Sequence, residues 1–65
     1  MNNSGLLMLS RDPRIIVGPA FEDEHGEAVF RVTKRGTLSS TVIPMGLTVG
    51  KAREMIECWL EDLSL

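Results

Sequence analysis

Apolar residues near the C-terminus recur every three or four positions, which is the spacing of one face of a helix. The residues that share this spacing are Val49, Ala52, Met55, Ile56, Trp59, Leu60 and Leu63. Thr48 precedes them, and threonine is one of the residues that cap helix N-termini. The pattern predicts an amphipathic helix over residues 48–63, with its apolar stripe turned toward a core.

Upstream of this helix, β-branched and aromatic residues alternate with short glycine-containing turns, as is typical of β-hairpins. The sequence predicts three strands, at residues 14–22, 27–34 and 37–43. Gly18 and Pro19 fit an edge strand with a bulge, because proline cannot donate a hydrogen bond to a neighbouring strand. We therefore expect an α+β fold in which a three-stranded antiparallel β-meander packs on the C-terminal helix.

The lengths of the two hairpin loops determine which side chains face the helix. A shift of one residue in the pairing of two strands moves every side chain of a strand to the other face of the sheet. A two-residue turn at His25 and Gly26 would place Phe21 opposite Phe30. A three-residue loop with Gly36 in the left-handed conformation would pair Val32 with Leu38, Phe30 with Ser40 and Ala28 with Val42. The inner face predicted in this way contains Ile15, Val17, Phe21, Phe30, Val32, Leu38 and Val42. The predicted outer face contains Val29, Arg31, Thr33, Thr37, Ser39, Thr41 and Ile43.

The apolar run from Leu6 to Leu9 is too short to show a period. It would suit an extra edge strand, a flap over the core or a dimer contact. We expect an N-terminal arm at residues 1–13, with a short strand or a flap at residues 5–10. Residues 14–65 are expected to form a single small domain.

Size and composition exclude several classes of protein. The chain has 65 residues, of which 43% are apolar and 25% charged, as in an ordinary folded domain. So short a chain has too little interior for a deep substrate cavity. Cys58 is the only cysteine, so an internal disulfide is impossible. No apolar run approaches the roughly 20 residues that cross a bilayer, and a cytoplasmic protein with no membrane association is expected.

The charges are segregated along the chain although their sum is only −2. Residues 22–27 and 54–65 are acidic, whereas residues 28–53 contain basic residues and no acid. Clustered carboxylates orient a partner of opposite charge. The candidate protein-binding residues are Glu22, Asp23, Glu24, Glu27, Glu54, Glu57 and Glu61.

The sequence contains no arrangement of residues that is typical of a catalytic or a metal-binding site. The carboxylates around His25 match no calcium-loop spacing, and strand alternation sends neighbouring side chains to opposite faces. His25 has no nucleophile near it in the sequence, and no further histidine is present to activate Cys58. We expect no enzyme activity, no cofactor and no metal site.

The basic block supports an alternative in which the outer sheet face binds nucleic acid. The candidate residues for this role are Arg31, Thr33, Lys34, Arg35, Ser39 and Thr41. Three segments of residues 27–63 carry a resemblance: Phe30-Arg31-Val32, the strand Ser39–Ile43 and the run Leu47 to Glu54. They resemble, in the order of their elements, the small sheet-plus-helix arm-binding modules of phage integrases. A strand followed by a helix that begins with threonine is also similar to small antitoxins. These resemblances cover about half the chain and rest on the order of the elements. The resemblance to arm-binding modules implies DNA binding, and the acidic hairpin and the acidic ridge of the helix depart from what DNA-binding proteins usually show.

The leading hypothesis is a small non-enzymatic binding or regulatory module that acts by protein–protein contact. An accessory or inhibitor protein of a phage or mobile element would fit this size, with acidic surfaces contacting a larger nucleic-acid-handling complex. DNA binding is one alternative, and a structural or assembly subunit is another. A homodimer is a further expectation, because domains below about 80 residues gain little stability from their own core.

Overall fold

The computed structural model describes all 65 residues. Three strands form one antiparallel sheet in the order β1-β2-β3, so the predicted α+β fold with a β-meander and a C-terminal helix is confirmed. Neither helix has the length and apolar character that crossing a membrane requires. The elements in chain order are α1 (Asn3–Ser10), β1 (Ile15–Glu22), β2 (Ala28–Lys34), β3 (Ser40–Pro44) and α2 (Val49–Leu63).

Helix α2 is the predicted amphipathic helix. Its N-cap is Thr48, whose Oγ1 accepts a hydrogen bond from the Lys51 backbone N–H at 3.2 Å. The middle of the apolar stripe faces the sheet, and Trp59 packs half-buried against the same core. The fully buried members of the stripe are Ala52, Ile56 and Leu60.

One hydrophobic core lies between the sheet and the two helices. Phe30 and Val32 of the central strand are completely enclosed in it. Because Leu9 of α1 and Ala52 of α2 share this core with the sheet, both helices lie on the same side of it. The core residues are Leu9, Ile15, Phe30, Val32, Ile43, Ala52, Ile56 and Leu60.

The N-terminal run predicted as an extra strand or a flap is helical. Asn2 caps α1, and its side-chain oxygen accepts a hydrogen bond from the Gly5 N–H at 3.1 Å. A Cβ atom at Gly5 would stand 3.0 Å from Cγ2 of Val49, so glycine lets α1 lie close to the start of α2. Leu9 enters the core, and α1 therefore covers part of it in the way expected of a flap.

An aspartate shapes the loop between β1 and β2. Asp23 Oδ1 accepts hydrogen bonds from the backbone N–H groups of His25 and Glu27, both at 2.9 Å, and the Asp23 N–H donates to the Glu27 carbonyl. Within this loop only Gly26 has a positive φ, at 78°. The loop contains three residues, and the predicted two-residue turn at His25 and Gly26 is wrong.

This longer loop changes the register of the first hairpin by one residue. Phe21 pairs with Val29 and not with Phe30, so the Phe21 side chain lies on the sheet face opposite the helices. The predicted bulge at Gly18 and Pro19 is confirmed, since the pairing of β1 with β2 shifts there.

The loop between β2 and β3 is also longer than predicted. Its ends are joined by a hydrogen bond from the Lys34 N–H to the Ser39 carbonyl at 2.9 Å. Thr37 Oγ1 donates to the Lys34 carbonyl and accepts from the Ser39 N–H, which fixes residues 35–38 as a four-residue loop. Gly36 has the expected positive φ, at 79°.

Because the second loop is longer than predicted, the two faces of β3 are exchanged relative to the prediction. Phe30 pairs with Ile43 where Ser40 was expected, a shift of 43 − 40 = 3 residues, and an odd shift exchanges the two faces of a strand. Ile43 is therefore in the core and not on the outer face, and Val42 is exposed and not in the core. The predicted inner residues confirmed as fully or partly buried are Ile15, Val17, Phe30 and Val32. Those wrongly predicted as inner are Phe21, Leu38 and Val42.

Candidate interaction surface

The sheet face opposite the helices, here called the open face, is covered by no element of the chain. Each strand contributes apolar side chains to it, and three of these side chains keep a large part of their surface in solvent. Ile16 is 49% exposed, Phe21 is 40% exposed and Val42 is 41% exposed. These three side chains make the open face a candidate contact surface, because exposed apolar patches on a small protein often mark such sites.

The central strand gives the open face its only buried residue and its only cation. Val29 is almost fully buried because it lies between its cross-strand partners Phe21 and Pro44. Arg31 is two residues further along the same strand, and its guanidinium carbon stands 5.9 Å from the centroid of the Phe21 ring. The same guanidinium donates a hydrogen bond to Ser40 Oγ at 3.3 Å. The exposed arginine is thereby held against the sheet, next to the apolar patch.

The first acidic cluster lies at the tip of the β1–β2 hairpin, immediately beyond Phe21. Asp23 is engaged in the loop by the hydrogen bonds described above. The carboxylates of Glu22, Glu24 and Glu27 belong to exposed residues, and Glu24 lies 3.6 Å from Nε2 of the solvent-exposed His25. The hairpin tip therefore offers negative charge next to the open face.

The second acidic cluster lies along α2, where Glu54 borders the groove between this helix and β3. Two of its carboxylates already have cationic partners within the chain. Lys51 Nζ lies 3.4 Å from Glu54, and Arg14 forms an ion pair with Glu57. Glu61 is exposed and forms no ion pair. The seven predicted carboxylates therefore form two separate surfaces, and the helix surface is the more neutralised.

Arg14 connects the loop after α1 to helix α2. Its guanidinium donates hydrogen bonds to Asp12 and to Glu57 at once. Hydrogen bonding to Arg14 lowers the pKa of the Asp12 carboxyl and also that of Glu57 below their ordinary values. The same bonds raise the pKa of Arg14. Arg53, which lies one helical turn before Glu57 on α2, forms no ion pair with it.

The residues predicted to bind nucleic acid do not share one surface. Arg31 and Thr33 lie on the open face, as expected. Thr41 is on the helix side because β3 is inverted, and Ser39 closes the loop at residues 35–38. The remaining two, Lys34 and Arg35, are at the opposite end of the sheet from the acidic tip.

Arg35 is also engaged within the chain. Its guanidinium donates hydrogen bonds to the backbone carbonyls of Pro13 and Ile15, at 3.0 and 3.4 Å. This side chain thus fixes the segment that leads into β1. Arg31 remains the only cationic side chain on the open face.

The concave surfaces of the molecule are shallow grooves. The largest has a volume of about 400 Å³ and runs between β3 and α2. No three histidine, cysteine, aspartate or glutamate side chains come together in a way that could hold a metal ion. Cys58 is free and exposed. The chain matches no family model, no curated protein and no solved structure.

The sequence pattern does not predict the apolar part of the open face, because both predicted hairpin loops are too short. The predicted registers place Phe21 and Val42 in the core, whereas the loops closed by side-chain hydrogen bonds of Asp23 and Thr37 place them on the open face. An aspartate directly before a hairpin loop, and a threonine two residues before Ser39, are signals for such loops.

Proposed function

We propose that this protein is a small non-enzymatic binding module that acts by protein–protein contact through its open face. The observation that carries the proposal is the uncovered apolar patch of Ile16, Phe21 and Val42, which surrounds the exposed Arg31. Aromatic residues and arginine are the residue types most enriched among the residues that dominate binding energy.

The hairpin tip gives the proposed surface its electrostatic preference. Glu22, Glu24 and Glu27 follow directly on the Phe21 end of the open face, and no lysine or arginine forms an ion pair with them. A partner with an apolar patch bordered by basic residues would match both parts of this surface. Proteins and complexes that handle nucleic acid carry such basic surfaces, which supports an accessory or inhibitory role toward one of them.

The helix ridge is the weaker of the two acidic surfaces for this purpose. Glu54 and Glu57 interact with Lys51 and Arg14, so their charges are partly compensated before any partner arrives. Charged residues at the rim of a protein–protein interface affect the association rate more than the affinity. We therefore place the main contact at the open face and the hairpin tip.

The test compares two apolar-to-serine variants in the same capture experiment. Phe21→Ser removes the aromatic side chain of the open face, whereas Leu38→Ser removes a fully exposed leucine from the β2–β3 loop. Host proteins captured by the wild-type chain are quantified by mass spectrometry for each variant. We expect Phe21→Ser to lose the specific partner and Leu38→Ser to keep it. Equal retention by both variants would contradict the proposal.

Charge neutralisation at the tip provides a second comparison. The double variant Glu24→Gln/Glu27→Gln should slow association with the captured partner and weaken the salt dependence of its rate. The single variant Glu61→Gln on α2 is the control and should leave the rate unchanged. An unchanged association rate in the tip variant would show that the hairpin tip is not part of the binding surface.

DNA binding is the second candidate, and the position of Arg31 and Thr33 on the open face favours it. A fluorescence anisotropy titration with duplex DNA at low salt decides between the two, because non-specific binding to DNA depends steeply on salt. Salt-dependent binding that is lost in Arg31→Gln would support this second candidate. We expect no such binding, because Arg31 is the only cation on that face.

A further inference from the structure

The two edge strands of the sheet, β1 and β3, differ in how well they are protected against pairing with a further strand. The β1 edge carries the bulge at Gly18 and Pro19, and α1 lies beside it, with Leu6 and Leu7 lining a groove along Val17 to Pro19. Bulges, prolines and covering elements are the usual means by which proteins protect an edge strand. The β3 edge has none of these before Pro44 at its end.

The backbone of β3 presents free hydrogen-bonding groups to this bare edge. The Ser39 carbonyl and the Met45 N–H bond to β2, and antiparallel bonding alternates, so residues 39, 41, 43 and 45 point inward. The N–H and C=O groups of Ser40 and Val42 therefore point away from the sheet. The four residues from Ser40 to Ile43 contain no charge and two β-branched aliphatic side chains, which is a sequence that favours strand pairing.

A groove next to the same edge exposes part of the apolar stripe of α2. It is lined on the sheet side by Thr41 and Ile43 and on the helix side by Met55, Cys58 and Trp59. Met55 keeps 38% of its surface exposed although it belongs to the stripe. A further strand beside β3, with its own helix above it, would cover both the backbone groups and this apolar flank.

We propose that β3 pairs antiparallel with β3 of a second copy of this chain, which gives a two-fold dimer with a continuous six-stranded sheet. Pairing Ser40 of each copy with Val42 of the other satisfies the free backbone groups of both residues and requires no N–H from Pro44. The strand is thus complementary to itself in the orientation that a two-fold axis imposes.

The spacing of the layers supports the same arrangement. Helix α2 shares one core with Phe30 of β2 and Ile43 of β3, and it makes close backbone contacts with β3. For a helix centred between these two strands, the two copies of α2 would be separated across the proposed axis by about two strand spacings, or roughly 10 Å. Helices pack side by side at roughly 8–10 Å. The two helices would therefore meet along Met55, Cys58 and Trp59.

Charge complementarity identifies the second copy as the occupant of this groove. Lys51 and Glu54, which lie 3.4 Å apart, line the groove toward the N-terminal end of α2, and Asp62 lines it at the C-terminal end. A two-fold axis through the middle of the groove makes the two helices antiparallel, which brings Lys51 of each copy, already beside its own Glu54, toward Asp62 of the other. Antiparallel helices also place their opposite dipole ends together.

The first test measures molar mass against protein concentration by sedimentation or light scattering. The wild-type chain should approach twice the mass of one chain as concentration rises. Val42→Pro removes an N–H from the bare edge without removing a bond to β2, and Ala20→Pro is the matched control on the β1 edge. Val42→Pro should raise the dissociation constant by about tenfold or more, since each copy loses one hydrogen bond, and Ala20→Pro should leave it unchanged.

The second test does not depend on how well a proline variant folds. Lys51→Glu and Asp62→Lys should each weaken the dimer by roughly two- to fivefold, as expected for exposed ion pairs. The double variant Lys51→Glu/Asp62→Lys should restore the wild-type dissociation constant. Glu61→Lys, which reverses a charge outside the groove, should have no effect.

Two results would overturn the proposal. One is a wild-type chain that keeps the mass of a single chain at every concentration. The β3 edge would then not pair with a second copy, and a strand of another protein would be the remaining partner for it. The other is a dimer whose dissociation constant is the same in Val42→Pro and in both charge reversals as in wild type. That dimer would use a different surface, such as the open face.

Discussion

The two faces of the sheet use similar residues for different purposes. The face toward the helices contains Phe30, Val32 and Ile43, all almost completely buried, whereas the open face presents Phe21, Val42 and Ile16 to solvent. Neighbouring positions of β3 therefore differ in role although valine and isoleucine differ by one methylene group. Hydrophobicity alone does not assign a residue to the core, and the register set by the loops decides which side chains stabilise the fold.

The comparison also separates two kinds of charged residue. Arg14 and Arg35 connect segments of the folded chain by hydrogen bonds to Glu57 and to backbone carbonyls. Arg31 lies on the open face, where it contacts Phe21 and Ser40 of the neighbouring strands, and the carboxylates of Glu22, Glu24 and Glu27 lie at the hairpin tip. Charges of the first kind have partners in distant segments of the chain, whereas charges of the second kind are exposed on the surface of the sheet.

The largest expected difference between the faces is in the cost of removing a phenylalanine. Phe30→Ala should lower the free energy of unfolding by about 3–5 kcal/mol, because it leaves a cavity in an enclosed core. Phe21→Ala should cost about 1 kcal/mol, because that side chain is already partly in water. Urea unfolding followed by Trp59 fluorescence measures both. Similar losses in the two variants would contradict the assignment of the faces.

A smaller difference is expected between two hydroxyl groups. Thr48→Ala should cost about 1 kcal/mol, because it removes the N-cap of the helix that covers the inner face. Ser40→Ala removes the open-face hydroxyl that accepts from Arg31 and should change the free energy of unfolding by less than about 0.5 kcal/mol. A Thr48→Ala variant as stable as wild type would show that the cap contributes nothing to α2.

The smallest expected effect concerns the pH dependence produced by Arg14. The pKa values of Asp12 and Glu57 are lowered by hydrogen bonds from Arg14, so the folded state binds fewer protons than the unfolded chain in acid. The resulting stabilisation is present above the unfolded pKa values, which are about 3.9 for aspartate and 4.3 for glutamate. It is lost as the pH falls through the lower folded values.

Arg14→Ala should therefore reduce stability above that acidic range and bring the variant and wild type together below it. Unfolding curves across the range measure this difference. Arg11→Ala is the control, because Arg11 is exposed and forms no ion pair. A constant gap between Arg14→Ala and wild type at every pH would show that Asp12 and Glu57 are not the groups involved.

Local patterns predicted the elements better than they predicted the faces. The spacing of apolar residues and the cap at Thr48 placed α2 correctly, and Pro19 marked the bulge in β1. The helical nature of α1 was missed because Leu6 to Leu9 are continuous and show no period, although Asn2 offered a cap. The open face was missed in part because the loops depend on side-chain bonds from Asp23 and Thr37, which periodicity does not report.

For the acidic candidate residues too, the sequence predicts one property and not another. Their exposure was expected, since carboxylates are seldom buried. Which of them are free depended on Arg14, a residue 43 positions from Glu57 that reaches it only in the folded chain. Ion pairs between distant segments carry no signal in a single sequence.

The most direct test of the two-faced sheet compares Ile43→Ala with Val42→Ala by urea unfolding. These residues are adjacent on β3 and differ mainly in the face they occupy. Ile43→Ala is expected to lower the free energy of unfolding by about 2–4 kcal/mol, and Val42→Ala by less than about 1 kcal/mol. A larger loss for Val42→Ala than for Ile43→Ala would contradict the register of β3 and the open face with it.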